Sequence, residues 1–147
     1  MLSSSLEDYL EIICRMQLEK GEVKSLEIAQ DLKVPLSRVV QAIQRLHYQK
    51  YLVYSPYKPI ELTPKGEKMG NYLTARNALL KEFLEFLEIK ENFQSELEAM
   101  QQYLSVSSLE TIEKFILFTR QYPEVNQRYK MFSKKTAKEI LLPKLPE

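Results

Sequence analysis

Residues 24–66 read KSLEIAQDLKVPLSRVVQAIQRLHYQKYLVYSPYKPIELTPKG, and their pattern predicts two helices joined by a short turn and followed by a two-stranded hairpin. The first helix is predicted to begin at Ser25 as its N-cap, and the turn falls at residues 33–35. Three or four residues between two helices is the spacing of a helix-turn-helix. With the hairpin behind it, this pattern predicts a winged helix-turn-helix, so DNA is the first partner to consider.

The second helix, hereafter the recognition helix, has one apolar face and one polar face. Apolar residues recur at offsets of three and four, which is typical of a stripe that packs on other helices. They are Leu36, Val39, Val40, Ile43 and Leu46. Arginine and glutamine on the other face suit a helix in a major groove, because they pair with guanine and adenine respectively. A merely solvated helix would be equally polar. The candidate DNA-binding residues here are Ser37, Arg38, Gln41, Gln44, Arg45 and Tyr48.

The hairpin, hereafter the wing (residues 51–62), favours DNA over the solvated helix. Two short apolar or alternating runs, residues 51–54 and 60–62, flank a loop with two prolines. Tyr57 and Lys58 at its tip are predicted to meet the phosphate backbone or the minor groove. Such contacts position a protein on DNA without reading its sequence.

The charge distribution agrees with a DNA-facing module. The whole chain has a formal net charge of only +1, but residues 24–68 carry eight basic and four acidic side chains. Residues 1–23 and 69–113 are both net acidic. A basic module between acidic segments suits a surface that faces DNA. The basic segment 126–138 is either a second phosphate contact or a solvated helix, and the solvated helix is the commoner case.

Composition bounds the class of protein. A chain of 147 residues with 44% hydrophobic residues fits one or two ordered globular domains. We expect no signal peptide and no membrane span, and a single cysteine, Cys14, points to the cytoplasm and to a core position. An enzyme is not expected, because the only histidine, His47, lies in the recognition helix and no catalytic triad or phosphate loop is recognisable.

The rest of the chain is predicted to be helical. The first helix opens with a capping box at residues 4–7, and the helix is predicted to run to Gly21. Thr63 is predicted to cap a long linker helix over about 64–88. Two further helices are predicted over 93–104 and from a second capping box at Ser107 to residue 122.

The predicted fold class is therefore mainly α, with two domains. A winged helix-turn-helix DNA-binding domain would occupy residues 1–70, and an all-helical dimerisation domain would occupy residues 71–147 and end in a frayed tail. A homodimer would set two recognition helices on a two-fold axis. Such a dimer reads a palindromic operator whose half-sites lie about 34 Å apart, or a multiple of that distance.

Five short segments then suggest a family. They are SLEDYLE at residues 5–11, EKG at 19–21, IA at 28–29, LTPKGEK at 62–68 and LLKEFL at 79–84. In this order and spacing, the chain from Ser5 to about Thr119 resembles the diphtheria toxin repressor family of metal-responsive repressors, most closely its short manganese transport regulator branch. The resemblance implies a homodimeric repressor that binds a double-stranded DNA operator.

In that family, a divalent metal binds between the first helix, the linker helix and the next helix, and it fixes the dimer in a DNA-binding shape. The resemblance carries the site over to six positions, in which amides replace two imidazoles and one carboxylate. These positions are Asp8, Glu11, Asn77, Glu98, Gln101 and Gln102. Sites for Mn²⁺ or Fe²⁺ normally combine carboxylates with imidazole. We therefore expect a vestigial site without a metal cofactor, in which the amides hydrogen-bond to the acids and DNA binding is metal-independent.

Two alternatives stay open at this point. The degenerate site could still bind Mn or Fe and keep the repressor metal-responsive. The chain could also be a winged-helix protein-interaction module without DNA binding, although Arg38, Gln41 and Arg45 on one helical face argue against that function. Because Arg38 stands where relatives commonly have a small hydroxyl residue, the operator sequence cannot be copied from a relative.

Overall fold

Helices account for most of the computed structural model, which describes residues 2–147. The order of its elements is that of a winged helix-turn-helix followed by a helical domain, so the predicted fold class is confirmed. A short 3₁₀ turn at Lys134–Thr136 precedes the C-terminal tail. The elements are α1 (Ser4–Lys20), α2 (Ser25–Leu32), α3 (Leu36–Tyr48), β1 (Leu52–Val53), β2 (Glu61–Leu62), α4 (Pro64–Phe86), α5 (Phe93–Tyr103), α6 (Val106–Gln121) and α7 (Pro123–Met131).

Three predicted helix caps are corrected by one or two residues. Ser25 is the first residue of α2 and not its cap, since the cap position is Lys24, which makes no side-chain capping hydrogen bond there. Ser3 rather than Ser4 caps α1, because its Oγ accepts a hydrogen bond at 3.3 Å from the N–H three residues on. Ser105 caps α6 in the same way, so that helix begins at Val106 and not after Ser107. Thr63 caps α4 as predicted. Where several serines follow one another, the cap is the one whose Oγ reaches a free N–H.

The helix-turn-helix packs on α1 around one hydrophobic core. Three residues of the predicted α3 stripe, Val39, Ile43 and Leu46, are completely buried in this core, whereas Val40 is half-buried and Leu36, in the first turn, is exposed. Cys14 of α1 is also buried, and burial raises the pKa of its thiol to about 11. The thiol therefore stays protonated at neutral pH, as a packing residue does and a nucleophile does not.

The wing is short. Its ladder consists of two residue pairs, Leu52 with Leu62 and Val53 with Glu61. On the return side, the Ile60 N–H donates to the Val23 carbonyl oxygen at 2.8 Å, which ties the wing to the segment between α1 and α2. The loop between the strands is left to project beyond the ladder.

Helix α4 connects two cores. Its first half packs on α1, and its second half packs on α5 and α6. Leu80, Leu84, Leu97 and Leu109 form the second buried cluster. Polar residues of α1, α4 and α5 face one another where the two cores meet.

Gly70 permits the close crossing of α4 over α1. A Cβ atom at this position would lie 2.0 Å from the Cys14 Sγ atom. We expect Gly70→Ala to lower the free energy of unfolding by about 1–3 kcal/mol, because a well-packed core cannot absorb the overlap. Adding Cys14→Ala removes the sulfur and should recover part of this loss. Urea denaturation of both variants, with Cys14→Ala as control, checks this. Equal stability of Gly70→Ala and the original chain would contradict it.

Candidate DNA-binding face and acidic cavity

The polar face of α3 is open to solvent along its whole length. Among the residues that the structure describes, neither Arg38 nor Arg45 forms an ion pair. Both guanidinium groups are therefore available to an external partner. Their contact with DNA stays a prediction. Exposed residues on this face are Ser37, Arg38, Gln41, Gln44, Arg45 and Tyr48.

The predicted wing residues are exposed as well. Tyr57 is fully exposed and has a left-handed backbone with φ 64°, and Lys58 follows it at the tip. The Lys58 N–H donates to the Ser55 carbonyl oxygen at 3.2 Å, which closes the turn. The structure thus presents both side chains on a tight turn that begins seven residues after α3 ends.

One basic residue counted toward the local charge has a different role. The Lys65 Nζ atom donates to the Gln49 carbonyl oxygen at 2.9 Å and lies 4.2 Å from the centre of the Tyr51 ring. Its charge therefore stabilises the C-terminal end of α3. The sequence did not reveal this role, because a charge count does not show which basic side chains contact other groups of the protein.

The six positions carried over for the metal site come together. They line a cavity of about 480 Å³ between α1, α4 and α5. Asp8 and Glu11 lie on α1, Asn77 on α4, and Glu98, Gln101 and Gln102 on α5. The sequence-derived set is thus a spatial cluster.

Electrostatic repulsion is only partly offset in this cavity. Partial desolvation raises the pKa of Asp8, and the negative charges of Glu7 and Glu98 add to this effect. Desolvation followed by the charge of Asp8 likewise raises the pKa of Glu11. The Arg76 guanidinium lowers both pKa values, but less than the other causes raise them. The cavity therefore favours a further positive charge.

The amides do not pair with the acids as predicted. The Gln101 Nε2 group donates to the Asn77 Oδ1 atom at 2.6 Å, so two amides pair with each other across α4 and α5. Glu98 instead accepts a hydrogen bond from the Gln94 side chain at 3.2 Å. An amide satisfies both its donor and its acceptor more readily with a second amide than with carboxylates, which only accept.

Arg76 forms a further link between α1 and α4. Its Nη1 atom lies 3.4 Å from the Glu7 carboxylate, and the two side chains are only 13% and 20% exposed. This pair neutralises Glu7 and leaves the three carboxylates of the candidate metal site without a direct ion-pair partner among the described residues. Arg76 therefore acts on Asp8 and Glu11 only at longer range, where its charge lowers their pKa values.

The side chains of the cavity offer oxygen donors of two kinds, carboxylate and amide. Such donors suit hard cations, namely Mn²⁺, Mg²⁺ and Ca²⁺, and they do not suit metals that prefer imidazole or thiolate. Within residues 2–147, no three histidine, cysteine, aspartate or glutamate side chains form a group that could hold a metal ion. The carboxylates alone therefore do not form a metal site. The oxygen donors of the cavity suit a hard cation only when amide oxygens complete its coordination.

An exposed basic recognition helix, a wing and a helical second domain define a winged-helix DNA-binding transcription regulator. The particular family follows from two models that match the chain. "Iron dependent repressor, N-terminal DNA binding domain" matches residues 1–60, and "Iron dependent repressor, metal binding and dimerisation domain" matches residues 63–130. The chain belongs to this family, the diphtheria toxin repressor family, in its manganese-regulator branch.

Two related transcriptional regulators support this family assignment. The chain is 34% identical over 136 residues to the HTH-type transcriptional regulator MntR of Bacillus pumilus, covering 92% of this chain and 94% of the relative. It is 32% identical over 137 residues to MntR of Bacillus subtilis, covering 92% and 96%. These relatives are transcriptional regulators and not enzymes, which confirms that prediction. The family's metal-binding domain favours a metal-responsive regulator over the metal-independent one that we expected.

Solved structures share the fold. The manganese regulator SloR superimposes with a TM-score of 0.66 at 23% identity, over 77% of this chain and 54% of that one. ScaR with bound Zn²⁺ gives a TM-score of 0.64 at 24% identity, over 76% and 53%. The chain thus spans about half the length of these proteins, and the likeness concerns the fold alone. Within residues 2–147, no helix has the length and apolar character needed to cross a membrane.

Proposed function

We propose that this protein is a homodimeric repressor that binds a palindromic operator and responds to a hard divalent cation, Mn²⁺ in the first place. The observation that carries the proposal is the gathering of three carboxylates and three amides from α1, α4 and α5 in one cavity. The same chain exposes a basic recognition helix. Membership of the manganese-regulator branch, which the MntR relatives support, makes Mn²⁺ the first cation to test.

The cavity is well located to influence DNA binding. Helix α1 packs against α3, and α4 packs against α1, α5 and α6. Asp8 and Glu11 therefore belong to the body that carries the recognition helix, and Asn77 and Glu98 belong to elements of the second core. A cation bound here would supply positive charge that offsets the carboxylates. Asp8 and Glu11 would hold it from one side and the α4 and α5 oxygens from the other, which would fix α1 relative to α4 and α5.

The recognition helix would then read the operator. Arg38 and Arg45 can each donate two hydrogen bonds to a guanine, and Gln41 can pair with an adenine. Lys58 and Tyr57 on the wing would contact phosphate groups, which fixes the register of the helix without adding sequence information. A function in DNA binding is compatible with the predicted cytoplasmic location.

The dimer surface that we favour is the groove between α4 and α6. This groove has a volume of about 530 Å³ and contains Tyr72, Val106 and Leu117, each at least 43% exposed. Phe118 and Tyr122 of the same region are also exposed. Exposed apolar side chains in such numbers on neighbouring helices are typical of an interface between subunits.

Metal-independent DNA binding is the second candidate, and the bond between Gln101 and Asn77 favours it. At 2.6 Å, this bond joins α4 to α5 and occupies two of the six positions carried over for the metal. A cation that used both amide oxygens would have to share Asn77 Oδ1 with this bond or break it. The amide pair would in that case hold α5 against α4 without any ion.

Selection of duplexes from a random DNA pool tests the proposed function. We expect the protein with Mn²⁺ to enrich a palindrome with half-sites about 34 Å apart, or a multiple of that distance. Light scattering should give a mass near twice the 17.4 kDa of one chain. Failure to enrich any sequence, with or without Mn²⁺, would contradict the proposal and favour the protein-interaction module.

A further inference from the structure

His47 links the recognition helix to the wing. It is the only histidine in the chain and lies half-buried in the last turn of α3. Its Nδ1 atom accepts a hydrogen bond at 3.1 Å from the backbone N–H of Tyr54, the residue that follows β1. An accepting Nδ1 carries no proton, so this hydrogen bond requires the tautomer that has its proton on Nε2.

Few other hydrogen bonds hold the part of the wing loop that directly follows β1. The ladder ends at Val53, and the return side is held by the bond from Ile60 to the Val23 carbonyl. The turn between Ser55 and Lys58 lies within the loop and attaches it to nothing else. Across the part of the chain that the structure describes, the His47 bond is the one side-chain hydrogen bond between α3 and residues 54–60.

This arrangement affects both candidate DNA-binding elements. His47 follows Arg45 by two residues on α3, and Tyr54 precedes Tyr57 and Lys58 by three and four residues. The ring also lies 5.9 Å, centre to centre, from the exposed ring of Tyr48. A shift of the wing base relative to α3 would therefore move the predicted phosphate contacts relative to the predicted base contacts.

We propose that His47 is a positioning residue for DNA binding. Through Nδ1, it holds the wing at the distance from α3 at which Lys58 meets phosphate while Arg38 and Arg45 meet bases. The effect of His47 on DNA binding rests on the proposed function. The hydrogen bond between Tyr54 and His47 does not depend on that function.

Two substitutions separate positioning from a general structural role. His47→Ala removes the acceptor, whereas the side-chain oxygen of His47→Asn replaces Nδ1 at a similar distance from the backbone. On the selected duplex at fixed salt, we expect His47→Ala to bind about 3- to 10-fold more weakly, the effect of one lost hydrogen bond. His47→Asn should bind within about twofold of the original chain, since it retains an acceptor of similar strength.

A double-mutant cycle with Lys58 tests whether His47 acts through the wing. Lys58→Ala removes the wing's phosphate contact and should reduce the dependence of affinity on salt by about one counterion. In the Lys58→Ala background, His47→Ala should then cost much less than it costs alone, because the two effects are coupled. A full and additive loss in that background would overturn the proposal.

Nuclear magnetic resonance of the free protein decides the bond without DNA. We expect ¹⁵N shifts of the His47 ring that mark an unprotonated Nδ1 and a protonated Nε2. The Tyr54 amide should be protected from exchange, and this protection should disappear in His47→Ala and return in His47→Asn. A ring protonated on Nδ1, or a Tyr54 amide unaffected by His47→Ala, would overturn the proposal. If the bond is present but no duplex is enriched, the proposed function has failed instead.

Discussion

Replacing Arg38 and Arg45 together by alanine is expected to abolish specific DNA binding. Each bidentate contact to a guanine contributes about 1–3 kcal/mol of discrimination, so the two together correspond to roughly a 30- to 20,000-fold loss of affinity. Both side chains are exposed and without ion-pair partners among the described residues, so the fold and the dimer should survive. Fluorescence anisotropy on the selected duplex measures the loss.

A charge-matched control separates base contacts from net charge. Lys81→Ala with Lys90→Ala removes the same two positive charges from exposed positions on α4 and just before α5. We expect this control to bind the duplex nearly as well as the original chain. If both double variants lost affinity equally, or if neither did, α3 would not be the reading element. Circular dichroism and light scattering exclude unfolding or loss of the dimer as the cause.

Restoring the family's ligands is expected to tighten Mn²⁺ binding by a factor on the order of 100 or more, since loss of a mere supporting contact already costs 10- to 100-fold. The variant is Asn77→His, Gln101→Glu and Gln102→His in one chain. It adds two imidazoles and one carboxylate to a cavity that already contains Asp8, Glu11 and Glu98. It also removes the bond between Gln101 and Asn77, which frees both positions for a cation. Titration calorimetry measures the affinity directly.

Gln94→Glu is the matched control for this variant. Gln94 lines the same cavity on α5 but is not one of the six positions, so the control adds negative charge without restoring a family ligand. We expect it to improve Mn²⁺ binding much less than the triple variant does. Equal affinity of the unchanged chain and the triple variant would show that the amides bind Mn²⁺ as well as the family's ligands do. Complete absence of binding by the unchanged chain would favour the metal-independent candidate.

The predictable part of the fold is the part that depends on periodicity. Val39, Ile43 and Leu46 are buried because helical spacing alone puts them on one face, and the same spacing exposes Arg38 and Arg45. The hairpin follows from its two short runs and the prolines between them. The six cavity positions came from the family resemblance, and the structure gathers them because α1 and α5 both pack on α4.

Other features depend on tertiary geometry that no local pattern contains. The choice of Ser3 over Ser4 as a cap depends on which Oγ reaches a free N–H once the chain is folded. The pairing of Gln101 with Asn77 depends on how α5 approaches α4. The hydrogen bond from Tyr54 to His47 could not be predicted from the types of the two residues, because its donor is a backbone N–H.

Anisotropy of labelled duplex tests the central claim most directly. The selected palindrome is titrated with protein in excess chelator and again with Mn²⁺, at one salt concentration because salt alone changes such affinities strongly. We predict weak binding in chelator and tight binding with Mn²⁺. Equally tight, sequence-dependent binding in both conditions would contradict metal control and leave a repressor held in its binding shape by its own side chains.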